Sequence, residues 1–534
     1  MTRGSSRTQT NRQRKGVALI LVLVVSAMIA LAAYRFADVM ISYATHARTD
    51  HRYVIERSLA ESAGATVLAA IEARENLDVS STFGVKELIA GKSLQETRDG
   101  RMLGKFSVYF QTAKLGSSDF SIGLEDESSK LNLHSLPLNR EQQNQARVAL
   151  MHVPGLTVQI ADSIMDWIDA DDEPRPFGAE SSYYSSLPQP YEAANRRLKS
   201  LDELLKVRGV TKQLLHGQST RNDSTKVSDL PSSPAWDRYL TIDGRECNTS
   251  KAGAPRINLN DPQLDRVYDQ VASKHSTDLA RFVIALRLAG PMNDDAQTQK
   301  ALSEEDEIAQ AEARIKQQLM DQPSAAGDLN SRMSVTRGGM DLSLRPVYRV
   351  RSLADLWGTK VRVTIDGKDE VLVSPWKENS VDFRKMTADI VDTLSTHSEA
   401  TVEGRINVNI APQEVLQMIP KMESQLANAI AIRQRDATGH PVADRLTNRS
   451  SIAWLLDEGL VSPSQLRELA PYLTCRGDVY KGFVACRTSS RKDAAKFALL
   501  VDGASPHKSV RHLKYLGRIT DEAILKAISL ESTP

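Results

Sequence analysis

The chain has 534 residues, a formal net charge of +1 and 25% charged residues, which excludes a global electrostatic pull toward nucleic acid or acidic lipid. Its length suits about three to five domains of ordinary size. Aromatic residues are only 5% of the chain, too few for an aromatic-lined sugar or single-strand surface, and three cysteines are too few for a disulfide framework.

The first element is announced by "RKGVALILVLVVSAMIALAAYR" at 14–35. Arg3, Arg7, Arg12, Arg14 and Lys15 precede it without an acidic residue, and Val17 to Ala33 carries no charge. As a helix, residues 17–34 would rise about 27 Å, close to the hydrocarbon thickness of a bilayer. The basic leader should stay in the cytoplasm and the rest should cross, in a bacterium to the periplasm. A cleaved secretory signal would break soon after its apolar core. Here no Pro or Gly follows until Gly64, and Val39, Ile41, Tyr43, Val54, Ile55, Leu59, Val67, Leu68 and Ile71 continue at roughly helical spacing. The pattern predicts one long helix, half in lipid and half out. Ala63, Gly64, Ala65, Ala69 and Ala70 keep part of it thin enough for close packing.

Beyond the helix, "GKFSVYFQTA" and "DFSIGLEDESSKLNLHSL" alternate as half-buried strands do, and so do "DVYKGFVACRT", "AAKFALLVDG" and "SVRHLKYLGRI" near the other end. Between them lies a repeat. "KLNLHS", "RINLND" and "RINVNI" each open a unit, helical segments follow, and "YLTIDG", "TLSTHS" and "YLTCRG" close the units. Asn139 with Gln142 reads as a capping box, Pro262 and Pro412 as first-turn prolines, and Ser200, Ser352 and Ser451 as caps of a third helix. "VRVTIDGKDEVLVS" reads as a hairpin turning at Asp366-Gly367. "HGQSTRNDSTKVSDLPSSP" and "DQPSAAGDLNSRMSVTRGG" read as mobile loops, and "ALSEEDEIAQAEARIKQQL" as a solvated helix.

The most distinctive segment is "DWIDADDEPRPFGAESSYYSSLPQPYEAANRRLKSLDELLKVRGV". Asp166 and Asp169 lie one turn apart at a helix end, and Asp171, Asp172 and Glu173 enter a Pro-rich loop. Converging carboxylates suit calcium, which takes about six to eight oxygens, although the EF-hand spacing is absent. Ion pairing with Arg196 and Arg197, or plain solvation, explains the same residues. Cys475 and Cys486 would pair in an oxidising compartment or stay as two buried thiols. No nucleophile elbow, His-Glu-x-x-His pair or phosphate loop occurs, so the chain is not expected to be an enzyme. The repeats resemble helix-hairpin-helix domains. However, unit one keeps only Pro154-Gly155-Leu156 of the phosphate-holding turn, unit three has Pro420-Lys421-Met422-Glu423, and nucleic acid is not an expected partner.

The leader ending in Lys15-Gly16, followed by an apolar helix that turns amphipathic, resembles the precursors of type IV pilins and type II secretion pseudopilins. The resemblance implies cleavage by a prepilin peptidase between Gly16 and Val17. Most members carry Glu at the fifth mature position, where this chain has Leu21. A subunit without that carboxylate suits the first position, with nothing ahead of it. Asp-Trp-Ile-Asp, Glu-Pro-Arg-Pro, Gly-Ala-Glu, Tyr-Tyr, Pro-Tyr-x-Ala-Ala-Asn-Arg and Ser-Leu-Asp-Glu-Leu together resemble the general secretion pathway protein K family of minor pseudopilins.

The resemblance implies an α+β protein, with a pilin-like long N-terminal helix and small antiparallel sheet interrupted by a large, mainly helical insertion of repeated strand-helix units. The corresponding plan is a basic prepilin leader at 1–16, the helix at 17–75, sheet at 76–134, the insertion at 135–470 and sheet again at 471–534. The units fall at about 130–243, 255–396 and 404–475, one more than that family leads one to expect. The implied role is at the tip of the type II secretion pseudopilus, anchored in the inner membrane. Implied partners are the other minor pseudopilins, the major pseudopilin, the peptidase and the exoprotein substrate. Calcium at Asp166, Asp169, Asp171 and Asp172 is the candidate cofactor. A minor pilin of a type IV pilus and a helix-hairpin-helix DNA-uptake protein are the alternatives.

Overall fold

The computed structural model describes residues 10–72, 86–95, 102–111, 120–139, 142–217, 235–250, 252–292, 336–377, 383–434, 449, 451–488, 492–520 and 522–528. Helix α1 (Thr10–Glu72) is continuous. From Ala18 to His51 its side chains are exposed, whereas Glu56, Leu59, Ala60, Ala63, Val67 and Ile71 are buried, three or four residues apart and therefore on one face. That face lies on a sheet ordered β1 (Lys92–Gln95), β2 (Met102–Gln111), β17 (Val479–Thr488), β18 (Ala494–Asp502), β19 (Ser509–Ile519). All its pairings are antiparallel, with β3 (Phe120–Ile122) on β2 and β4 (Glu125–Asp126) on β17. Leu59, Ala63 and Val67 share a core with Phe106, Val108, Val484, Phe497 and Leu499. A Cβ at Gly64 would stand 3.0 Å from a Val510 methyl, so the glycine sets how closely α1 approaches the sheet. The helix Glu522–Ala527 covers the opposite face over Tyr109, Phe483 and Ala485.

One polar contact fixes α1 against β19. Glu56, only 1% exposed, receives two hydrogen bonds from the Arg518 guanidinium at 2.9 and 3.1 Å, and Arg518 also pairs with Asp493.

The insertion leaves the sheet after β4 and returns at β17. It holds three units, each opened and closed by a pair of two-residue parallel strands. These are β5 (Leu131–Asn132) with β6 (Leu240–Thr241), β8 (Ile257–Asn258) with β13 (Leu394–Ser395), and β15 (Ile406–Asn407) with β16 (Leu473–Thr474). Parallel pairing requires a crossover, which the intervening helices supply. The recurring asparagine accepts the N–H two residues on: Asn132 from His134, Asn258 from Asn260 and Asn407 from Asn409, at 2.9, 2.9 and 3.1 Å. The recurring hydroxyl does the same at the exit: Thr241 from Asp243, Ser395 from His397 and Thr474 from Arg476, at 3.0, 3.1 and 3.3 Å. Asx and hydroxyl turns thus terminate each tiny strand and give the sequence repeat its physical meaning.

The middle unit hangs from an antiparallel neck of β7 (Arg245–Cys247) and β14 (Thr401–Glu403), beyond which Asn248 N–H donates to Ala400 C=O at 2.9 Å. It contains the short pair β9 (Thr336–Arg337) and β10 (Met340–Asp341) and the hairpin β11 (Lys360–Ile365) and β12 (Lys368–Val373). That hairpin turns at Asp366 (φ 48°) and Gly367 (φ 77°), the positive pair a two-residue turn needs.

Local details depart from the sequence reading. The third elements, Leu201–Lys206 and Leu353–Leu356, are 3-10 rather than α-helical, which suits runs this short. Ser352 makes a capping box with Asp355, Ser200 makes no side-chain cap, and Ser451 accepts from Ala453 N–H at 3.3 Å. Asn139 and Gln142 form no capping box: Asn139 contributes only its carbonyl, to Gln142 N–H at 3.1 Å. Pro412 is an N-cap and Pro262 precedes the N-cap Gln263, so both sit in the entering turn rather than the first helical turn. Residues 1–9, 218–234 and 293–335, which include most of the leader, most of both expected loops and the expected charged helix, lie outside the described residues; at the loops' described ends, His216 closes the helix Lys212–His216 and Thr336–Arg337 form β9 rather than loop. Replacing Glu56 with Ala leaves Arg518 short of its buried partner and should cost about 2–3 kcal/mol in chemical unfolding.

Candidate functional site

The site is built on the helix Val158–Ile168, whose first turn Thr157 caps by accepting from Ile160 N–H. Asp162 and Asp166 are four residues apart on it, and Asp169 is its C-cap. All three reach into the loop that follows. Asp162 receives the Arg147 guanidinium at 2.6 and 3.1 Å and the N–H of Phe177 at 3.3 Å. Asp166 receives Arg175 Nη1 at 2.7 Å and its backbone N–H at 3.3 Å, and the same Nη1 lies 2.5 Å from Asp169 Oδ2. The loop therefore folds back onto its own helix, tied by all three aspartates. It passes so close at Gly178 that a Cβ there would stand 1.8 Å from Asp166 Oδ2.

Folding back brings in a further carboxylate. Asp166, Asp169 and Glu180 are 0%, 7% and 1% exposed, and each offers an oxygen within 4.8 Å of the others. Both oxygens of Glu180, Oδ1 of Asp169 and Oδ1 of Asn195 are shielded from solvent and, among the described residues, have no hydrogen-bond partner. Asn195 sits at φ 43° with its Nδ2 donating to Asp171 C=O at 2.8 Å. Packed against the helix, Trp167 meets Tyr184 edge-on at 5.1 Å, and Tyr191 stacks on Tyr184 at 5.2 Å. Burial, reinforced by the Asp166 and Asp169 charges, pushes Glu180 up to about 8, and burial pushes Asp169 up to about 6 despite Arg175.

One guanidinium cannot balance three ionised carboxylates, so the excess must be met by a proton on Glu180 or by a cation, and the oxygens left over are the ones a hard cation would use. An all-oxygen donor set with spare, desolvated lone pairs fits calcium rather than a softer metal.

The ligand set expected from the sequence needs correction. Asp166 and Asp169 are in the cluster, but Asp171 and Asp172 are exposed and spent on the loop: Asp171 accepts from Glu173 N–H at 3.0 Å and Asp172 from Ser181 N–H at 3.2 Å. Glu180 takes their place, since only the return of the loop brings it near. The cation that pairs with the cluster is Arg175, whereas Arg196 pairs with Glu203 and Arg197 with Glu403. The disulfide expectation is also corrected. Cys475 packs against the core of the insertion and Cys486 lies in the core between α1 and the sheet, and both are free thiols pushed up by burial. Gly16, Val17 and Leu21 all fall within α1, where Leu21 is 62% exposed.

Two outcomes follow for metal-stripped protein. Between the ordinary glutamate value of 4.5 and about 8, the native chain holds a proton on Glu180 that the unfolded chain lacks, so stability falls as pH rises across that window. Melting in chelator should show this decline, and Glu180→Gln should flatten it. Gly178→Ala should displace the loop and lower the melting temperature through the clash with Asp166.

Residues 129–217, which contain this site, match the family model described as type II secretion system protein K. A putative type II secretion system protein K of Escherichia coli strain K12 is 29% identical over 219 residues, covering 38% of this chain and 60% of that one. Type II secretion system protein K of Pectobacterium carotovorum is 43% identical over 56 residues, and that of Aeromonas hydrophila 47% over 58. These last two alignments cover 10% and 11% of this chain and 17% and 18% of the relatives, so the chain spans less than two thirds of each of these three relatives. Among solved structures, a chain of the GspK-GspI-GspJ complex from enterotoxigenic Escherichia coli aligns over 88% of this chain and 99% of its own length, at 12% identity and a TM-score of 0.36. On the family model and these relatives, residues 129–217 of the chain are similar to the type II secretion system protein K family.

Proposed function

We propose that the chain is a minor pseudopilin that caps the tip of a type II secretion pseudopilus, starts its assembly and is needed for protein export across the outer membrane. The observation that carries this reading is the polarity of α1. Its first part is apolar and bare, with Leu19 72% and Ile29 64% exposed, while the stretch from Leu59 to Ile71 is seated on the sheet. A bare apolar helix needs lipid or neighbouring helices. The insertion is attached at the opposite end: a Cβ at Gly503 would stand 2.7 Å from Ile71, and Gly503 N–H donates to Asp478 C=O, whose residue's N–H donates to Arg245 C=O.

In this reading the prepilin peptidase cuts between Gly16 and Val17, and the mature helix sits in the inner membrane with the rest in the periplasm. It packs there against the other minor pseudopilins and the major pseudopilin. Leu21 offers no carboxylate to a subunit ahead, and the insertion beyond Ile71 occupies the space such a subunit would need. The exoprotein substrate meets the chain at this tip. Calcium at Asp166, Asp169 and Glu180 supplies the charge that Arg175 leaves unbalanced and holds the loop to its helix.

Mass spectrometry of the membrane-bound chain, with and without the peptidase, is the deciding measurement. A start at Val17 that depends on the peptidase is expected, whereas an intact Met1 or Thr2 would overturn the reading. For the cation, terbium luminescence excited through the neighbouring Trp167 should appear and be displaced by calcium. Asp169→Asn with Glu180→Gln should abolish it. Calcium at about a hundred times its dissociation constant should stabilise the parent by about 2.7 kcal/mol.

A further inference from the structure

Strand β19 forms one end of the sheet. It pairs with β18 alone, runs for 11 residues, and among the described residues its outer edge receives no backbone hydrogen bond. A long uncovered edge is a template for a further strand. Its chemistry is one-sided. From His507 to Arg518 the sequence "HKSVRHLKYLGR" contains no acidic residue. Two of its cations are used internally, Arg511 by Asp502 at 2.8 Å and Arg518 by Glu56 and Asp493. His512 and Lys514 are exposed and make no ion pair among the described residues.

Apolar surface accompanies the charge. Tyr515 and Leu516 are 40% and 47% exposed, and Tyr515 meets Tyr53 of α1 edge-on at 5.9 Å, beside Val54 at 60% exposure. The edge is thus continuous with an exposed apolar strip on α1, the element through which neighbouring subunits assemble in the reading above.

We propose that the free edge of β19, with Tyr53 and Val54 of α1, docks an extended acidic segment of a neighbouring pilin-like subunit, which adds to the sheet as a further strand. The backbone edge provides the hydrogen bonds, His512 and Lys514 select for carboxylates, and the Tyr53–Tyr515 pair with Leu516 packs the incoming side chains. This rests on the chain being a pseudopilin.

The test places a photoreactive benzoylphenylalanine at Leu516 in the full chain in its membrane, with parallel probes at Phe36 on α1 and at Arg362 on the exposed face of β11. The expected result is an adduct from Leu516, and none from Arg362, mapped by mass spectrometry to an acidic stretch of a different pilin-like subunit. Reversing charge with His512→Glu and Lys514→Glu should cut its yield about tenfold. Both side chains are exposed, so an unchanged melting temperature will confirm that the variant folds.

Adducts from Phe36 without any from Leu516 would overturn the docking edge and leave the pseudopilin reading standing. Absence of adducts at both positions would remove that reading and the edge together. Adducts only to a second copy of this chain, or a reversed-charge variant that self-associates while keeping its adduct, would show that the basic residues merely guard the edge.

Discussion

The insertion depends on a buried acid that ties the start of a unit to its end. In unit one, Lys130 Nζ lies 2.7 Å from Glu127 Oε1, while Glu127 Oε2 accepts from the Thr241 hydroxyl of the closing strand. Unit three repeats the arrangement with other residues: Arg405 reaches Glu246 at 3.3 Å, and Glu246 accepts from Thr474 at 2.7 Å. Two-residue parallel strands have little cohesion of their own. The acid supplies the missing hydrogen bonds, and the base before the strand offsets its charge. In the middle unit Arg256 and Ser395 occupy the same places, but Arg256 donates to the Asp392 carbonyl at 3.3 Å instead. Burial holds the Arg256 guanidinium below its usual value, and the nearby Glu246 carboxylate offsets only part of that cost.

The same comparison shows why the carboxylate cluster belongs to unit one. Aligning Ala161, Ala280 and Ala427 on the second helix of each unit puts Asp166 opposite Ala285 and Ile432. Ala285 is fully buried and Ile432 is 63% exposed. The scaffold at that helix end is otherwise alike: Arg287 donates to Leu259 C=O and Gln434 to Val408 C=O, each returning to the turn after its opening strand. A general frame thus carries a specialised acid loop in one copy only.

What was legible in the sequence was what local pattern controls. Apolar spacing revealed α1, the Asn and Thr or Ser of the unit ends revealed the repeats, and Asp366-Gly367 revealed a hairpin because an Asp-Gly pair readily takes the two positive φ angles of a two-residue turn. What was hidden depends on the path of a loop. Asp171 and Asp172 are nearer in sequence to Asp166 than Glu180 is, yet the chain returns past Gly178 and delivers Glu180 instead. Arg175, between two prolines, was a better partner for the aspartates than the arginine pair further on. Cys475 and Cys486, only 11 positions apart, are separated because the chain between them passes from one core into another.

The neck of β7 and β14 has a consequence for how such a chain can grow. Asn248 and Ala400 are hydrogen-bonded neighbours, so the path of the backbone into the middle unit and the path out of it share one doorway. Everything between them, more than a quarter of the chain, is a detour whose two ends coincide. Units one and three would meet the same doorway whether the detour were long, short or absent. A frame of this kind can acquire a whole unit in a single event, without re-spacing the parts that join the sheet.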